Sequence, residues 1–475
     1  MTKILRLSNF KKTIYYLKKN GFRQAFYAAT ERFSSEIKDD YHYDPLPDSV
    51  LQEQTGRGLE FSVKFSILVP TYETKPEFLR AMIDSVISQT YGKWELILAD
   101  ASSTRQVVDV AHQYTDSRIH YFHLEENLGI SGNTNEALKH ATGEYVALLD
   151  HDDLLTADAL FECAATVEEH RKNHRDLLML YSDEDKCNQD ATRFYEVNRK
   201  PDFNLDLILS NNYICHLLVM KRELMQELQF RSSMDGAQDH DLILRAVGRM
   251  MQLAGGAVGS EAQSIAQSTA QSAAQKPELP IAHIPKVLYH WRCYEGSTAE
   301  NPESKRYAYE AGRRAVEDFL AKQGCCAEVV PTRHLGFFYV DYKPDLFSNR
   351  PDTAVVGGKL IDHRGRVVGG IYNENKELLY QGLHKEYSGY MHRADCQQEA
   401  FAVDIRCVLC DEQAKELLAS MTGTDYRTDP STGRFDYRRC LPKDTDYEAI
   451  SLKFCEELRK QGRRIVWDPR QIERI

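Results

Sequence analysis

A chain of 475 residues is too long for one compact core, so two or three domains are expected; its 42% hydrophobic and 10% aromatic content is ordinary for globular protein. A net charge of −11 speaks against a dedicated nucleic-acid binder, whose footprint is a basic surface. No run approaches the about 18 apolar residues of a membrane span, and lysines interrupt the apolar residues of the N-terminus, so neither a span nor a signal peptide is expected.

Residues 1–33 carry eight Lys or Arg and one acid, Glu31. Tyr15, Tyr16, Leu17, Phe22, Phe26 and Tyr27 interleave with the basic residues at loosely helical spacing. Two readings stay open. The segment is either a basic amphipathic helix lying on an anionic membrane, or a helix packed on its own domain with a solvated basic face. Residues 34–60 read as a polar linker.

From Phe61 strands alternate with helices. The pattern predicts strands at 65–69, ended by Pro70, at 94–98, running on to Asp100, and at 119–124 and 145–149. Helices are predicted at 76–89, about 106–114 and 133–140. Such an alternation specifies an α/β fold with an open, mixed, mainly parallel sheet, whose ligands bind beyond the carboxyl ends of the strands.

The stretch ALLDHDDLL (147–155) sets Asp150, Asp152 and Asp153 where the fourth strand runs out. Buried carboxylates resist losing water, and three in four residues repel one another. A solvated turn, with Asp153 capping the next helix, is the plain reading. The position at a strand end, after Asp100 at another, favours a cleft holding a Mg²⁺ or Mn²⁺ ion bound to a diphosphate. Asp239 and Asp241 open a later helix as QDHD. Either carboxylate could take a proton from an attacking hydroxyl, or both could serve the helix dipole.

These motifs in this order, SILVPTYE (66–73), SVISQTYGKWELILADASS (85–103), ENLGISGNTNEALKHATGEYVALLDHDD (126–153) and GAQDHDLILR (236–245), resemble the inverting glycosyltransferase family 2 with its nucleotide-sugar-binding GT-A fold. YSDEDK (181–186), HIPKVLYHWR (283–292) and STA (297–299) are similar to patterns of bacterial enzymes that build O-antigens and other surface polysaccharides. The resemblance implies a donor site of Pro70, Tyr72, Asp100, Asp150 and Arg292, with Tyr72 beside the base and Asp100 accepting from it. Ala99 stands where the family usually has a second acid, and Glu73 where Asn is commoner. It implies a metal site of Asp150, Asp152 and His290, with Asp153 adjacent. Asp239 matches the catalytic base and Asp241 is the runner-up. Asn127, Gly129 and Asn135 read equally well as a turn and a helix cap. The acids 183–185 either line the acceptor side or make a solvated turn, the second being favoured.

The expected organisation is a basic segment and linker over 1–60, a GT-A domain over 61–323 interrupted by a low-complexity Ala-Gln-Ser insertion at 253–279, and a degenerate GT-A-like accessory module over 324–475. Asp444 and Asp446 would fall near the position of Asp239 in that module. The eleven cysteines read as reduced cytoplasmic thiols, with Cys407 and Cys410 as strand residues rather than a zinc site. The implied function is a metal-dependent, inverting, non-processive transferase, since the membrane helices and Gln-x-x-Arg-Trp motif of processive synthases do not occur. Its donor would be a UDP- or dTDP-sugar and its acceptor a saccharide or lipid-linked saccharide. The rivals are a nucleotidyltransferase, whose Gly-rich basic loop PTYETKPE does not match, and an inactive glycan-binding protein.

Overall fold

The computed structural model describes residues 7–33, 41–255, 279–294 and 306–475. The STA run and nearly all of the expected insertion lie outside the described residues.

Nine strands make one sheet: β1 (Phe65–Thr71), β2 (Trp94–Asp100), β3 (Ile119–His123), β4 (Tyr145–Leu148), β5 (Leu154–Leu155), β6 (Met179–Asn188), β7 (Phe194–Asn198), β8 (Leu218–Lys221) and β9 (Ile281–Cys293). Their order is β3-β2-β1-β4-β8-β6-β9-β5, with β7 beside β6. The run β3-β2-β1-β4 is parallel, β8 lies antiparallel between β4 and β6, and β6 pairs parallel with β9. This is the mixed, mainly parallel α/β sheet that the sequence pattern predicts.

Alternation along the central strands divides their side chains between two apolar layers. Phe65, Ile67 and Val69 of β1, with Leu96 and Leu98 of β2, join the helix Pro76–Ile87 through Leu79, Met82, Ile83 and Val86. Leu68, Ile97 and Val146 face the other layer, built largely on the helices Gln238–Gly255 and Arg306–Lys322. Burying each such side chain contributes about 1.5–3 kcal/mol, so the sheet is fixed before its loops are considered. Val329, Phe338 and Val340 of the hairpin Ala327–Pro331/Phe338–Tyr342 belong to that second layer, so this core runs past residue 323.

The expected linker is not structureless. Its Asp48–Gly58 stretch is helical and packs on the helix Ala159–Lys172, with Gln54 Nε2 3.4 Å from Glu162 Oε1. The C-terminal part has its own core around Val355, Phe454 and Trp467. Its sheet holds one parallel pair, Thr353–Ile361 with Arg464–Arg474, and its order does not repeat that of the first. Asp446 caps the helix Tyr447–Lys460 by accepting from the Ala449 N–H. The two parts touch where Tyr390 donates to the Val197 carbonyl at 2.6 Å and accepts from the Arg199 N–H at 2.8 Å.

Candidate active site

Strand order runs from β1 toward β2 and β3 on one side, and from β4 toward β8 on the other. A crevice opens at such a divide, beyond the carboxyl ends of the strands. Pro70 and Thr71 close β1 at this edge, and Asp150 follows β4. Leu154 and Leu155 pair with His290 and Tyr289 of β9, so residues 150–153 are a tight turn across the sheet end. The Asp153 N–H donates to the Asp150 carbonyl at 3.2 Å to close it.

Asp153 is the inner member of the cluster, 1% exposed. Its carboxylate accepts from the Tyr289 hydroxyl at 2.6 Å and the Arg292 backbone N–H at 2.7 Å. Burial first, then the charges of Asp152 and Asp150, push its pKa well above the ordinary carboxylate range. Asp150 and Asp152 are half-buried, and Asp152 accepts from the Tyr294 hydroxyl at 3.0 Å. Among the described residues no Lys or Arg side chain forms an ion pair with any of the three; the nearest basic group is His151 Nδ1, 3.9 Å from Asp152. That imbalance is what a hard divalent cation relieves, and Asp150 with Asp152 suits an ion shared with a diphosphate. Among the described residues no three His, Cys, Asp or Glu side chains converge as a complete metal cluster.

His290 does not join them. It alternates with Tyr289 along β9, its Nδ1 donates to Asp185 at 2.5 Å, and its ring packs between Tyr43 and Phe194. Arg292 is also turned inward, 2% exposed. It donates to the carbonyls of Asp152 and Gln189, 2.5 Å each, and so braces the acidic turn.

On the base side of the cleft, Asp100 is fully buried, its Oδ1 taking bonds from Thr71 (3.1 Å) and Ser102 (2.6 Å) and its Oδ2 one from Tyr121 (2.8 Å). It ties β1, β2 and β3 together. Tyr72 is half exposed at the rim, free to offer an aromatic face. Glu73, at φ 48°, turns its carboxylate onto Ser103, Thr104 and Gln106, and these bonds hold its pKa down to about 2. The turn Asn127–Gly129 is structural: Asn127 accepts from Gly129 and Asn133, and a Cβ on Gly129 would meet Asp235 at 2.6 Å.

Asp239 and Asp241 separate cleanly. Asp241 is 1% exposed and held by Arg231 and by Arg245 Nε at 2.9 Å, so it is a helix-anchoring ion pair and not a free base. Among the described residues Asp239 has no cationic partner. Burial and then the charge of Asp150 raise its pKa to about 6, against the opposing influence of His216 and of Cys215, whose Sγ lies 3.8 Å away. A carboxyl at about 6 is poised for general base work near neutral pH.

Three residues that sequence reasoning passed over build the floor beneath it. Lys200, wholly buried, points Nζ at the carbonyls of Ile214 (3.2 Å), Cys215 (2.7 Å) and His216, and at Glu184 (3.2 Å). The loop it gathers carries Cys215 to Asp239, and stacks His216 on Tyr289 at 4.7 Å. Tyr289 in turn holds Asp153. The 183–185 acids are likewise not a solvated turn: Asp183 and Asp185 are buried on β6, bonded to His283 and His290. A single lysine in RKPDFN carries no pattern that could have announced its role.

Residues 66–229 match the model described as Glycosyl transferase family 2, so the chain carries a domain of that family. Uncharacterized protein y4gI of Sinorhizobium fredii is 38% identical over 270 residues, covering 56% of this chain and 26% of that protein. The O-antigen biosynthesis protein RfbC of Myxococcus xanthus is 30% identical over 326 residues, covering 65% of this chain and 22% of RfbC. The chain thus matches about a quarter of the length of these curated relatives. The crystal structure of S. aureus TarS 1-349 in complex with UDP-GlcNAc aligns at 18% identity with a TM-score of 0.38, over 55% of this chain and 66% of that one, too distant to bear on function.

Proposed function

We propose that this protein is an inverting, non-processive glycosyltransferase moving a sugar from a UDP- or dTDP-sugar to a hydroxyl of a cell-surface saccharide or its lipid-linked precursor. The observation that carries the reading is the uncompensated acidity at the end of β4, with the half-buried carboxyl of Asp239 under its field and, among the described residues, in no ion pair. The family domain and the name of the Myxococcus relative support the substrate class. A divalent cation held by Asp150 and Asp152 would neutralise the charge gathering on the departing diphosphate.

The chain's own residues supply the rest. Tyr72 offers a face to the nucleotide base. Asp239 accepts the acceptor hydroxyl's proton as that oxygen attacks the anomeric carbon; the bond from that carbon to the diphosphate oxygen breaks, and the nucleoside diphosphate leaves. The Lys200 loop holds Asp239 in place. The reaction belongs at the cytoplasmic face of the cell membrane, where lipid-linked saccharides lie, and the residues beyond about 350 form an accessory module on the acceptor side.

A transfer assay with labelled UDP- and dTDP-sugars on membrane saccharide acceptors tests this. Wild type transfers label with inverted anomeric configuration, whereas Asp239→Asn loses about 10²–10⁴ of the rate while still binding nucleotide. Undiminished transfer by Asp239→Asn contradicts the assignment.

A further inference from the structure

The first 33 residues hold eight Lys or Arg and one acid, while the other 442 hold 52 and 70. The helix Leu7–Phe33, which carries six of these eight basic residues, breaks at Gly21, at φ 78°. Its second half is gripped along one stripe by the C-terminal part. Gln24 donates to Glu386 at 3.1 Å, Tyr27 stacks on His384 at 5.0 Å, and Glu31 accepts from the Ser388 and Gly389 N–H groups at 3.1 and 2.8 Å. Positions 24, 27 and 31 share one helical face.

The opposite face has no such cover. Phe22 and Phe26, one turn apart, are 79% and 55% exposed, and Leu17 before the break is 39% exposed. Lys18 is exposed, Lys19 reaches the Thr332 carbonyl at 3.5 Å, and Arg23 stays 70% exposed although it pairs with Glu386 at 2.8 Å. The segment's only acid is turned inward and bonded. What faces outward is therefore two aromatic rings with a basic rim and no negative charge, on a protein that is otherwise acidic.

We propose that this face docks on an anionic lipid surface, Phe22 and Phe26 entering the headgroup boundary while the 384–389 loop holds the helix as a fixed wedge. Basic and aromatic residues together on one face are what such interfaces recognise. A nucleic acid would not draw on two protruding phenylalanines, and a second acidic copy would leave the charge match to chance. The inference deepens the reading above by naming the surface through which the enzyme meets its membrane. Lipid binding is measured without any transfer, so either can fail alone.

Flotation of the full chain with phosphatidylcholine vesicles, with and without phosphatidylglycerol, tests the proposal, alongside light scattering for self-association. The wild type floats with the anionic vesicles only, less so as salt rises. Phe22→Ser/Phe26→Ser lowers the bound fraction about tenfold or more with unchanged melting temperature, since both rings are exposed. The proposal is overturned by absence of flotation, by equal flotation with neutral vesicles, by undiminished binding of the double variant, or by a wild-type dimer that the double variant dissolves without any lipid effect.

Discussion

The two halves of this molecule treat their acids in opposite ways. In the C-terminal part, acids are closed by arginine: Asp404 by Arg406, Asp411 by Arg463, Asp352 and Glu399 by Arg464, Glu473 by Arg434 and Arg438. At the mouth of the first sheet, Asp150, Asp152, Asp153 and Asp239 have no such partner among the described residues. Both halves are strand-and-helix structures, and the C-terminal part nearly balances its charge whereas the first carries an excess of acids. Chemistry is therefore to be sought where charge has been left uncompensated, since a stable fold alone would have neutralised it.

Removing an arginine should separate the halves most strongly. Asp404 is fully buried, so Arg406→Ala strands a carboxylate and should cost about 3–5 kcal/mol. Urea unfolding would show that loss, with donor turnover per folded molecule unchanged; loss of turnover without loss of stability would give the C-terminal part a catalytic role. In the first half, Lys200→Met should lower kcat by up to about 10² through a misplaced Asp239, with the donor KM little changed and Lys200→Arg recovering part of the rate. A KM effect alone would remove Lys200 from the account. The smallest expected effect is the pH profile. Asp239 must be ionised to accept a proton, and its pKa is raised to about 6, so kcat/KM should be flat above that pH and fall as pH drops through it. Bound cation near Asp150 favours the ionised form, so metal should move the inflection downward. An inflection near 4 that ignores metal would contradict a half-buried base.

Much of the fold was written in the periodicity. β1 to β4 and their helices appear within a few residues of the predicted positions; β1, β2 and β4 are buried on both faces, and their apolar runs admit little else. The turn Asp150–Asp153 was legible for a related reason, as charge is conspicuous inside an apolar run. The surroundings of Asp100, His290, Arg292 and Asp241 were not, because each depends on partners far away in sequence. Tyr121 and Thr71 bond Asp100, Asp185 holds His290 by Nδ1, and Arg231 with Arg245 claims Asp241. No spacing rule encodes such contacts. The basic N-terminal segment posed two alternatives, and the structure contains elements of both: one stripe is docked on the protein and the other is bare.

The most direct measurement is thermal stabilisation by UDP and dTDP with and without Mn²⁺. Ligand that binds only the folded state raises the melting temperature in proportion to the logarithm of its concentration over its dissociation constant. Wild type should gain stability from nucleotide only when the ion is present, and Asp152→Ala should lose that gain. An undiminished, metal-dependent shift in Asp152→Ala would mean that the acidic turn does not hold the cation.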